Sequence, residues 1–174
     1  MIWQDYKKLY SNGLKEYSPK FKKELQRQVD TYCDTLDFNA ISPEGIKKTI
    51  KKLHIAMGSK MASISYNDVK KGIKSGQGPL EIKSALMDLW SYTILTYLEL
   101  KGLEELSEEI TDTTKEQIKR FLLRAQQNNY TIPQTIALLR ESGITDYRAE
   151  LIARTETGRA ANVGSVVGAV STGL

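Results

Sequence analysis

Strand alternation is nearly missing from this sequence, while helix punctuation recurs along its whole length. Few stretches set Val, Ile or Thr at every second position, and no hairpin is built on Asn-Gly or Asp-Gly. Ser18-Pro19 reads as an N-cap followed by a first helical proline, opening a helix to about Thr35 with Phe21, Leu25 and Val29 on one face. The segment before it, Met1 to about Tyr17, is mixed polar and aromatic, with a break expected at Asn12-Gly13. Ser42-Pro43-Glu44 repeats the start signal before a long helix to about Ser75, where Ile46, Ile50, Leu53, Met57, Met61 and Ile64 keep one stripe. Gly58, Ser63 and Ser65 weaken its middle, where a kink or break near 58–66 is expected.

Ser75 to Pro79 reads as a loop. The stretch from about Leu80 to Lys101 is apolar on most sides, predicting a helix covered by its neighbours and ended by Gly102. Glu104 to Glu109 reads as an acidic connector, and Thr113 to Glu116 as a capping box that starts a helix with Ile118, Phe121, Leu122 and Ala125 inward. Asn128-Asn129 ends it. A short helix from Pro133 to about Glu141 stops at Gly143, and Asp146 caps a last helix reaching toward Val170. The expected architecture is all-α: a multi-helix bundle, with an N-terminal helical region over 1–109 and a C-terminal three-helix region over 110–174.

Residue counts exclude several chemistries. A single cysteine, Cys33, and a single histidine, His54, fall short of the four ligands of a structural zinc site, and one cysteine closes no disulfide within the chain. Neither metal nor cofactor is expected. The most apolar run, Leu89 to Leu98, holds ten residues, against roughly 20 for a membrane span. Trp3, Asp5, Lys7 and Lys8 interrupt any leader-like apolar run. A soluble chain without membrane contact is predicted. Gly76 to Pro79 is too short for a phosphate loop and lacks its Gly-Lys-Ser/Thr ending.

Charge is unevenly spread. Residues 1–80 carry 15 Lys/Arg against 8 Asp/Glu, residues 81–112 carry 2 against 8, and residues 113–174 carry 8 against 5. A basic half beside an acidic segment implies either an anionic partner or halves that attract each other. Lys47, Lys48, Lys51 and Lys52 form the densest basic run, joined by Lys20, Lys22, Lys23 and Arg27 on the preceding helix if the two faces align. These eight are candidate contacts to the phosphates of double-stranded DNA; a solvated helix face is the plainer alternative.

In the last third of the chain, ITDTTKEQIKRFLLRAQQNNYTIPQTIALLRE is followed by SGITDYRAELIARTETGRAANVG. This order resembles the phage Mu F-like head-morphogenesis family over about residues 110–168. The match rests on Thr113, Ile118, Ile136, Leu139, Arg148, Ala149, Ile152, Ala153, Arg154, Thr155, Glu156 and Asn162. The resemblance implies a minor head protein of low copy number in the virion, associated with the portal or other head proteins. It also implies a role in head assembly and in DNA packaging or ejection, with self-association in the virion a further expectation.

Glu150 and Arg154, and Glu156 and Arg159, are spaced to bridge along one helix. With Arg148 and Thr155 they are expected to clamp helices or to touch a partner. Glu156 has no carboxylate, histidine or metal constellation visible beside it in sequence, so no catalytic residue is expected and the chain is not expected to be an enzyme. His54 is expected in ordinary packing or at the surface, Cys33 as a half-buried thiol, Trp90 in the core, and Trp3 with Tyr6 and Tyr10 against the body or another subunit. Residues 160–174 carry no charge, so this end is expected either to continue into a longer protein or to pack on a partner. The main rival expectation is a free-standing, non-specific DNA-binding module.

Overall fold

The computed structural model describes residues 2–73 and 84–173. Among the described residues six α-helices follow one another: α1 (Ile2–Thr35), α2 (Glu44–Ile73), α3 (Ser84–Leu100), α4 (Leu103–Gln127), α5 (Ile132–Glu141) and α6 (Asp146–Val170). A single 3-10 turn, Phe38–Ala40, lies between the first two. There is no strand among the described residues, and the fold is an all-α multi-helix bundle.

The break expected at Asn12-Gly13 and the start expected at Ser18-Pro19 are both overridden, because α1 runs through them as one helix. Leu9, Gly13, Tyr17, Phe21, Leu25, Val29 and Cys33 form an unbroken i, i+4 row, every member buried. A four-residue step overshoots the 3.6-residue turn by about 40°, so this row winds around α1. Its first half meets α6 and α2; its second half meets α4 and α5. Gly13 lies against Thr157 of α6, and the Tyr17 hydroxyl donates to the Lys52 carbonyl of α2. Further along, buried Gln28 donates to the Thr111 hydroxyl of α4 at 2.8 Å, and Arg140 of α5 pairs with Asp34 and Asp30. Packing on both sides of Pro19 offsets a helix-interior proline that costs about 3 kcal/mol.

The Ser42 hydroxyl accepts from the Glu44 N–H, so α2 starts where expected. No break interrupts α2 near 58–66: the helix is continuous to Ile73. The weak helix formers there serve packing instead. A Cβ at Gly164 would collide with the Gly58 carbonyl oxygen, and one at Gly168 with the Ala62 carbonyl oxygen. Small residues on both helices thus let α6 lie backbone to backbone on α2, an approach larger side chains forbid.

Only Trp90, Ile94 and Leu98 of α3 are buried, correcting the expectation of a helix covered on most sides. Trp90 Nε1 donates to the Ser171 hydroxyl at 2.9 Å. Leu89, Tyr92, Tyr97 and Leu100 remain exposed, because apolar composition does not create neighbours on faces the bundle leaves open. The loop expected from Ser75 to Pro79, and the first turn of the helix expected from Leu80, lie outside the described residues.

Gly102, at φ 83°, ends α3 as expected and leads directly into α4. The acidic connector is therefore helix, and the expected Thr113 capping box does not form: the Thr113 hydroxyl donates to the Glu109 carbonyl within α4. Leu103, Ser107, Ile110, Thr114 and Ile118 supply a continuous buried face, and burying it outweighs the local cap signal. A capping box does occur at Thr131 and Gln134, opening α5. Asp146 is the first residue of α6 rather than its cap; its carboxylate receives Lys22. No described helix is long and apolar enough to cross a membrane.

Candidate functional site

The resembling segment occupies α4, α5 and α6; of the charges singled out on α6, Arg148 and Glu156 face inward, while Glu150, Arg154 and Arg159 lie at the surface. Arg148 enters the α4–α6 seam at the start of α6. Its Nη1 donates to Thr114 Oγ1 at 2.9 Å and Gln117 Oε1 at 3.2 Å, and its Nη2 donates to the Ile110 carbonyl at 2.9 Å. Among the described residues no carboxylate balances it, and burial pushes the guanidinium below its ordinary pKa. Three charge-assisted bonds hold it there. Arg148→Ala is expected to lower stability by about 2 kcal/mol, since it removes three charge-assisted bonds that tie α6 to α4; a urea melt with an unshifted midpoint would discount the clamp.

Glu156 lies between α6 and α2. Its Oε2 is 2.9 Å from His54 Nε2 and its Oε1 accepts from Arg159 Nη1 at 2.7 Å, with the Glu156 and His54 side chains each 3 % exposed. The reading that no histidine accompanies Glu156 is corrected by this pair, whose members are 102 residues apart in sequence. His54 follows Ile50 by four residues and so belongs to the buried stripe of α2, a signal legible in the spacing. His54 Nδ1 is buried without a hydrogen-bond partner.

These residues line a cleft of about 500 Å³. Tyr97, Leu98 and Lys101 at the end of α3 form one wall and Arg159, Asn162 and Val163 of α6 another; Leu103, Glu105, Leu106 and Glu109 of α4 close the end. No serine, threonine or cysteine among the described residues lines it. Both Glu156 oxygens are engaged, so the carboxylate acts there as an anchor for His54 and Arg159. Among the described residues, no group of three or more His, Cys, Asp or Glu side chains is placed to hold a metal.

Arg154 pairs with Glu150 at 2.9 Å on the solvent side of α6. With Thr155 and Gly158 it flanks a shallow groove bordered by Trp3, Tyr6, Lys7 and Tyr10 of α1. The three rings form a ladder, Trp3 on Tyr6 at 5.6 Å and Tyr6 on Tyr10 at 6.1 Å. Cys33 is buried, and burial raises its thiol pKa.

The eight candidate phosphate contacts do not form one uniform face. Lys20 pairs with Glu16, Lys22 with Asp146, Arg27 with Glu24, Lys47 with Glu44 and Glu104, and Lys51 with Glu99. Lys47 and Lys51 thus reach from the basic half to the acidic segment. Lys23, Lys48 and Lys52 are exposed and have no ion-pair partner among the described residues. The Lys20 ammonium also sits 4.2 Å from the Tyr17 ring centre.

Fold and site together define a helical bundle whose inward-facing charges serve as ties between helices. No protein-family model, curated protein or solved structure matches this chain.

Proposed function

We propose that this chain is a non-catalytic minor head protein of a tailed bacteriophage, docking at the portal vertex and acting in head assembly and DNA packaging or ejection. It works in the virion after assembly in the host cytoplasm. One observation carries the reading: Arg148 and Glu156, the inward-facing charges of the α6 motif, are consumed in holding α6 to α4 and α2. A motif spent on scaffold geometry suits a protein that presents surfaces to other proteins. Co-sedimentation with portal rings from the same virus tests it directly. The complex is expected to pellet at low and moderate salt; a chain left in the supernatant under both conditions would overturn the assignment.

A free-standing DNA-binding module is the second reading, supported by exposed Lys23, Lys48 and Lys52. It gives a sharper expectation than the sequence alone. Reversing Lys48 and Lys52 together should lower the log–log salt slope of duplex binding by about 2, because each lost phosphate contact removes about 0.9. Reversing Lys47 and Lys51, already committed to Glu104 and Glu99, should leave that slope nearly unchanged. Equal effects in a filter-binding titration would show that the intramolecular pairs open on DNA.

A further inference from the structure

The geometry points to the groove between α3 and α6 as the docking site for a cationic amphipathic helix of a partner protein. This deepens the head-protein reading and rests on it for the partner's setting. The two helices run antiparallel: Trp90 near the start of α3 bonds Ser171 beyond the end of α6, while Tyr97 and Leu98 share the cleft with Arg159 and Val163. Along the facing edges, Leu89, Tyr97 and Leu100 of α3 and Val163, Val166 and Val170 of α6 recur at spacings that keep each set on one side of its helix. Leu100 is 81 % exposed, Val166 63 % and Val170 67 %. The two rows flank the cleft on adjacent helices and are left exposed there, and apolar surface rimmed by charge in this way marks an interaction site.

The length and charge of the groove select its occupant. From Leu89 to Leu100 the α3 edge spans about 16 Å at about 1.5 Å per residue, which is about three turns of helix. Its deep end is the cleft, where Glu105, Glu109 and Glu156 face Lys101 and Arg159. Glu105 and Glu109, one turn apart on α4, have no ion-pair partner among the described residues. An apolar groove closed by unpaired carboxylates complements a helix with leucine-like side chains three and four apart and a lysine or arginine at one end.

The test uses the full chain and two fluorescein-labelled peptides of about 12 residues, a length set by the groove. One carries leucines on a single helical face and lysines elsewhere; the other replaces each lysine by glutamate. In anisotropy titrations at physiological salt the lysine peptide should bind saturably and the glutamate peptide about tenfold more weakly. Leu100→Lys with Val166→Lys, both at exposed positions, should weaken the lysine peptide about tenfold without moving the melting temperature. Glu105→Lys with Glu109→Lys should reverse the preference between the peptides. Equal binding of both peptides, no saturable binding, or binding indifferent to the Leu100 and Val166 changes would overturn the proposal. So would a dimer in sedimentation equilibrium that those two changes dissolve, since a second copy would then be the occupant. Portal-ring association that survives the Leu100 and Val166 changes would overturn the groove alone and leave the head-protein reading standing.

Discussion

Gly164→Leu should destabilise this protein by about 3 kcal/mol or more. Even the first carbon of a side chain at Gly164 would occupy the space of the Gly58 carbonyl oxygen, which is backbone and cannot swing aside. α6 would have to lift from α2, opening the contacts that Met57, Ala160 and Ala161 make in the larger core cluster. For a chain of this size such a loss corresponds to a fall of roughly 10 °C in melting temperature. Gly158→Ala is the matched control on the same helix. A Cβ there meets only a Tyr10 ring carbon at 3.9 Å, so the alanine should be neutral or stabilising by up to about 1 kcal/mol. Calorimetry of the two variants decides: similar melting points would show that the α2–α6 approach is less close than described.

Glu156→Ala is the second large effect, expected to cost about 3 kcal/mol. Arg159 reaches solvent and can turn to water, but His54 is enclosed and would lose the one partner of its Nε2 while Nδ1 already has none. The penalty therefore falls mostly on a stranded imidazole. Replacing both residues by leucine, His54→Leu with Glu156→Leu, should recover much of the loss, since neither polar group then remains buried without its partner. A double-mutant cycle measures this as coupling; strictly additive losses would mean that the 2.9 Å contact contributes nothing to stability.

The proposals about α6 depend on where neighbouring helices place it, and sequence spacing alone reached that point unevenly. The Glu150–Arg154 and Glu156–Arg159 pairs follow from distance along one helix and were legible beforehand. The Arg148 bonds to α4 and the His54–Glu156 pair join separate elements, so no local spacing announced them. The same division holds for the basic residues: a cluster of lysines is visible in the sequence, but the withdrawal of Lys47 and Lys51 toward Glu104 and Glu99 depends on how α2 packs against α3 and α4.

Helical class, the start of α2, the stop at Gly102 and the turn signals around α5 were determined by residue order, because caps, glycine conformations and apolar periods act within a few residues. Continuity through Pro19, Gly58 and Thr113 was decided only by the tertiary structure. At each of these positions a local preference worth a few kcal/mol at most stands against the burial of an entire helix face, and the face prevails. The open edges of α3 and α6 belong to the same category, since a side chain's exposure depends on which helices lie beside it and not on its own hydrophobicity.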